Sequence, residues 1–163
     1  MGARGFSLIE TLVALVVMSV GLLGVAALHV DSMQRGQEGL FLTRAVLLAA
    51  DMGDRIRANP LGSVDYAIEW QVQPVPGDVC ADTSDGPAPG WPAGCDPTQM
   101  AKYDVQQWKE ALAPTNALGL PAGDGRIIVN DATIPTTYII QVQWRGRRAT
   151  EIYTLSVQDD PSS

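Results

Sequence analysis

Gly5-Phe6-Ser7-Leu8-Ile9-Glu10 opens the stretch that decides how this sequence folds, and the run from Thr11 to Val30 completes it. Those twenty residues contain no Asp, Glu, Lys or Arg, and His29 is their one titratable side chain. As a helix they span about 30 Å, the thickness of bilayer hydrocarbon. Buried helices of soluble cores usually show polar punctuation within that length, so the membrane reading leads. An ordinary secretory signal places its small-residue cleavage site after the apolar run. Here a short basic start, Met1-Gly2-Ala3-Arg4, meets Gly5 before the run begins. Glu10 then stands one helical turn into the apolar segment. A charge costs about 2.5–3.5 kcal/mol at the bilayer centre and less near its edge, so a carboxylate here points to function. Its plainer reading is a residue held near the headgroups by the positive end of its own helix.

Working outward, no proline occurs between Met1 and Asn59, and Asn59-Pro60 reads as a stop. One helix is therefore expected from Phe6 to about Ala58, roughly 80 Å long at ~1.5 Å per residue. After Val30 it turns amphipathic, with Leu40, Leu47, Leu48, Met52 and Ile56 near helical spacing and Asp51–Arg55 paired at i, i+4. Gly21, Gly24, Gly36 and Gly39 lower helix propensity and permit bending or close packing. Alternation of Val64, Tyr66, Ile68, Trp70 and Val72 predicts a strand over 63–72. The segment from Pro74 to Pro97 reads as loop. Asp96-Pro97-Thr98-Gln99 supplies an N-cap, a proline at the first helical position and a capping glutamine. The helix it starts should reach Ala113 with Ala101, Val105, Trp108 and Leu112 inward, and Pro114 ends it. Strands are expected over 125–130, 137–145 and 149–158, the last two joined by a hairpin turn at Gly146. In the middle strand Tyr138, Ile140, Val142 and Trp144 alternate with more polar neighbours. The fold class is α+β: a long helix packed on a small antiparallel sheet, with a short second helix.

At 163 residues the chain fits one domain plus an appendage. Its formal charge of −7 argues against nucleic acid, because phosphate binding needs concentrated positive surface. The basic cluster Arg145-Gly146-Arg147-Arg148 falls in the expected hairpin turn and reads as a solvated turn. Cys80 and Cys95 are separated by 14 residues rich in Pro, Gly and Asp. Downstream of a membrane-targeting segment, the redox setting favours a disulfide between them. A metal pair has less behind it, since the only histidine is His29 in the apolar run. No cofactor or metal is expected. The sequence lacks a P-loop, a dinucleotide fingerprint and a nucleophile motif, and Asp159-Asp160 reads as a solvated tail, so no enzyme is expected.

The segment Gly5–Glu10 resembles the processing site of type IV pilins and the related pseudopilins. The resemblance implies that a membrane-embedded prepilin peptidase cuts between Gly5 and Phe6 and methylates the new Phe6 amine. A glycine suits that position because a residue without Cβ lets a protease approach the backbone closely. In such proteins the acid corresponding to Glu10 meets the N-terminal amine of a neighbouring subunit as the filament grows. Burial among apolar helices makes that pairing matter, since either charge alone would be costly there. Major pilins often carry a proline midway along this helix, and this sequence does not.

The stretches Leu12–Gly24, Leu48–Asn59 and Tyr103–Glu110, with the cysteines and final strands, resemble the PilV minor-pilin family, the type IV pilus modification proteins. Its members join other minor pilins to prime filament assembly and end at the pilus tip. The resemblance implies a leader over 1–5, a transmembrane and filament-core helix over 6–30, an amphipathic half over 31–59, and a periplasmic α+β domain over 60–163. Implied partners are other minor pilins, the major pilin, the prepilin peptidase and the inner-membrane assembly platform, with a tip adhesin as a further candidate. Arg4 and the free amine precede the span while the first acid after it is Asp31, which favours a cytoplasmic N-terminus and inner-membrane residence before incorporation. The nearest alternative is a minor pseudopilin of a type II secretion system. An anchored periplasmic enzyme or a plain anchored interaction domain stands further off.

Overall fold

A computed structural model of the chain describes residues 7–74, 95–117, 119–132 and 135–158. Gly5, Phe6, Cys80 and nearly all of the loop expected from Pro74 to Pro97 lie outside these residues. Helix α1 (Leu8–Ala58) is followed by a 3₁₀ helix (Pro60–Tyr66), helix α2 (Pro97–Leu112) and strands β1 (Asp124–Asn130), β2 (Thr137–Arg145) and β3 (Thr150–Gln158). The chain divides into two units, Met1–Gly39 and Leu40–Ser163, so α1 contributes to both.

In the first unit no described residue is buried, and the large apolar side chains from Leu8 to Val30 all face outward.

In the second unit the three strands form one antiparallel sheet in the order β1-β2-β3. Such a sheet needs a partner on one face to be stable. Tyr138, Ile140, Val142 and Trp144 of β2 supply that face, and all four are buried. Ala45, Ala49, Met52, Gly53 and Ile56 are the buried residues of α1. A Cβ added at Gly53 would lie 3.1 Å from Val157 Cγ2, so the glycine sets how closely helix and strand approach. Helix α2 adds Ala101, Val105, Trp108 and Leu112 to the same core. The Trp108 ring lies where a side chain on Gly125 would sit, and its indole N–H donates to the Leu48 carbonyl at 2.9 Å. Each fully buried large apolar side chain stabilises the fold by roughly 1.5–3 kcal/mol relative to exposure.

Helix ends follow local chemistry. Asp96 caps α2 by accepting from the Gln99 N–H at 2.8 Å, and Gln99 reciprocates by accepting from the Asp96 N–H at 3.0 Å. Pro60 begins the 3₁₀ helix directly after α1 ends. Gly146 N–H donates to the Ala149 carbonyl at 2.9 Å, closing the β2–β3 hairpin around the basic cluster.

Two expectations are corrected. The alternating segment 63–72 is not a strand: its first part belongs to the 3₁₀ helix, and only Ile68 makes a β-bridge, to Ile127. Pro60 starts a 3₁₀ helix that takes the backbone through Tyr66, and the turn at Gln71, with a positive φ of 60°, ends the extended stretch after Ile68. Val64 and Val72 consequently face outward. On α1, Leu40 and Leu47 are exposed, whereas the smaller Ala45 and Ala49 are buried in the core.

Candidate assembly site

Helix α1 starts where the Ser7 carbonyl accepts the N–H groups of Glu10, at 3.0 Å, and Thr11, at 3.3 Å. Thr11 Oγ1 donates back to the Leu8 carbonyl at 2.8 Å, which turns its hydroxyl away from the apolar surroundings. Glu10 is the acid of this first turn and is exposed. Among the described residues no side chain partners its carboxylate. Its charge is placed at the positive end of the helix, where the leading N–H groups favour an anion. Farther along, Ser19 Oγ donates to the Leu15 carbonyl at 2.7 Å, so this hydroxyl is also satisfied within the helix. An added Cβ at Gly21, Gly24, Gly36 or Gly39 would meet nothing within 4 Å. These glycines mark places where another helix backbone could come close. What the Glu10 carboxylate can do is select a cationic group in lipid or among neighbouring helices.

The end of α1 is built differently. Arg55 donates to Asp51 at 2.9 Å, as the i, i+4 spacing indicated, and also to Asp104 of α2 at 3.0 Å. Partial burial opposes the Arg55 charge, but hydrogen bonds to Asp104 and Asp51 outweigh it and raise its pKa. Tyr66 donates to the second Asp104 oxygen at 3.0 Å. Asn59 Nδ2 donates to the Pro97 carbonyl at 2.8 Å and to the Tyr66 hydroxyl at 3.2 Å. Desolvation raises the Tyr66 pKa far above its ordinary value, with the neighbouring Asp104 charge adding to it. The polar residues of 51–59 thus bind the helix end to α2 and the 3₁₀ helix. A second pin joins Lys109 to Asp124 at 2.6 Å, with both side chains largely buried. Sequence reading missed Tyr66, Asp104, Lys109 and Asp124, whose pairings span tens of residues and carry no local signature.

Of the remaining residues singled out in the sequence, Cys95 is buried at 5% exposure directly before the α2 cap. Cys80, Gly5 and Phe6 lie outside the described residues, so their expected roles stay proposals.

Residues 1–26 match the prokaryotic N-terminal methylation motif. Residues 27–106 match the family described as Type IV pilin Tt1218. The two matches adjoin, and together they run from the N-terminus through most of α2. Over residues 1–106 the chain is similar to type IV pilins. Its long N-terminal helix, antiparallel sheet and short second helix form the pilin-like α+β architecture. The apolar start of α1 is the membrane-anchoring segment typical of prepilins. Pilins are structural subunits processed by prepilin peptidase and assembled with other pilus components. No curated protein and no solved structure matches this chain.

Proposed function

We propose that this pilin is a minor subunit of the PilV kind, which primes pilus assembly and is carried at the filament tip. The observation that carries the reading is Glu10: a lone carboxylate in the first turn of a helix whose large apolar side chains are uncovered up to Val30. Such a helix is completed by lipid first and by neighbouring pilin helices afterwards. Cleavage between Gly5 and Phe6 creates the amine that a neighbouring Glu10 receives, and methylation of Phe6 accompanies it. Leader 1–5 is then lost, residues 6–30 form the membrane and filament-core segment, and 31–59 lead to the periplasmic portion, 60–163. The N-terminus faces the cytoplasm. In the oxidising periplasm Cys80 and Cys95 form a disulfide, a reading that the burial of Cys95 beside the α2 cap supports. Support for the PilV assignment comes from the string Asp51–Asn59, whose charges here tie α1 to α2.

Intact mass and N-terminal sequencing of protein recovered from membranes test the processing step. The expected product begins with N-methylated Phe6. A chain that still starts at Met1 or Gly2, from cells with active prepilin peptidase, overturns the proposal. Gly5→Val should remain uncut, because a β-branched side chain crowds the scissile bond. Deleting the protein should abolish surface pili. Loss of exoprotein release with pili intact would favour a type II secretion pseudopilin.

A further inference from the structure

A cleft of about 540 Å³ opens at the end of the sheet where β2 meets β3. That is within the size range of small-ligand sites. Its walls carry three carboxamides, Gln71, Gln73 and Gln143, together with the Arg145 guanidinium and the Thr150 hydroxyl. Gln143 and Arg145 lie on one face of β2, two residues apart, and Thr150 is the cross-strand partner of Arg145. Two hydrogen bonds from backbone N–H groups fix the floor. Arg145 N–H donates to the Pro121 carbonyl at 2.7 Å, and Gln71 N–H donates to Asp124 Oδ2 at 2.7 Å. Gln71 and Ala122, with φ of 60° and 49°, both border this cleft. A non-glycine residue with positive φ is held there only when its surroundings impose it, and such residues cluster at binding sites.

We infer that this cleft binds a saccharide bearing carboxylate groups. The chemistry of the walls selects that class. A carboxamide both donates and accepts, which matches sugar hydroxyls that do the same. Apart from Ala122 and Gly123 the lining is polar or charged, so nothing holds the apolar anchors on which peptides and lipids rely. Asp124 already serves Lys109, Gln71 N–H and Gly125 N–H, so its charge is matched inside the protein. Arg145 makes no such internal ion pair among the described residues and leaves the cleft with one positive charge to offer. It would take a ligand carboxylate by a charge-assisted, two-pronged hydrogen bond. The site is remote in sequence from Glu10, and this inference stands independently of the assembly role.

The test is calorimetric titration of full-length protein in detergent micelles with tetragalacturonate, with maltotetraose as its neutral counterpart. Saturable binding of the acidic sugar is expected, with weaker binding of the neutral one. Arg145→Gln should weaken the acidic sugar by about tenfold or more, since hydrogen bonds to charged groups contribute on that scale. Gln143→Ala should weaken both sugars. Thr150→Ala, at an exposed position on the far wall, repeats the test without touching a buried group. No saturable binding by unaltered protein, or equal affinity in all three variants, overturns the inference.

Discussion

Residues 8–39 and 40–58 share one unbroken helix yet follow opposite rules of burial. In the first stretch large aliphatic residues stand uncovered, Leu8 at 77% exposure and Leu28 at 72%. In the second, Ala45 and Ala49 are fully buried in the core, while Leu40 and Leu47 remain outside. The difference teaches that hydropathy alone does not choose the packed face. A helix lying close on a sheet needs small residues at the contact, and Gly53 against Val157 is the tightest such approach on α1. The larger residues of the first stretch are exposed among the described residues. Apolar surface on that scale marks an interaction with lipid or with protein.

The comparison breaks most directly if the two stretches respond alike to truncation. Trp108→Ala should cost about 3–5 kcal/mol, because it empties a fully packed site and removes the hydrogen bond to the Leu48 carbonyl. Leu15→Ala should leave unfolding of the micelle-held protein within about 0.5 kcal/mol of the parent, because Leu15 is already exposed. Urea denaturation followed by Trp fluorescence measures both. Equal losses would mean that the first stretch is packed within the chain after all.

The proposed disulfide sharpens the contrast, since it belongs to the second region alone. Closing a loop of 14 intervening residues should contribute about 3 kcal/mol in the chain-entropy model. Cys80→Ser should therefore lower the denaturation midpoint and leave cleavage after Gly5 unchanged. Thiol labelling of unreduced, denatured protein should find neither cysteine, and quantitative labelling of both would exclude the bond.

A smaller effect concerns the polar clamp at the end of α1. Burial raises the Tyr66 pKa in the folded state above its ordinary value of 10.0. The folded protein therefore holds this proton more tightly than the unfolded chain does. The resulting stability is fully present below about pH 10 and declines as pH rises past that value. Tyr66→Phe should cost about 1–2 kcal/mol at neutral pH and flatten the alkaline part of the stability profile. Unchanged alkaline slopes in that variant would remove Tyr66 from the account.

Much of this organisation is legible in the sequence because its signals are local. The Asn59-Pro60 stop, the Asp96–Gln99 capping box and the alternation of Tyr138, Ile140, Val142 and Trp144 each depend on neighbours within a few residues. The segment 63–72 misled because alternation reports two faces without saying that a sheet neighbour exists. Tyr66 turns instead to Asp104, 38 residues away. Separations of 49 and 15 residues likewise hide the Arg55–Asp104 and Lys109–Asp124 pairs. At the N-terminus the reverse holds: leader glycine, aromatic residue, acid and uncharged run lie side by side. The candidate site there was readable, while the partner proposed for it belongs to another molecule.

Glu10→Leu is the measurement that bears most directly on the central claim, that α1 begins with a group completed only by a neighbouring pilin. Loss of the charge should ease insertion, so the variant should still be cleaved and reside in the membrane. It should nevertheless fail to co-purify with other pilins and fail to restore surface pili to a deletion strain. Pairing within the chain, between Glu10 and its own Phe6 amine, predicts little loss, because the apolar variant relieves the burial cost. Normal co-purification and normal pilus numbers for Glu10→Leu would contradict the account.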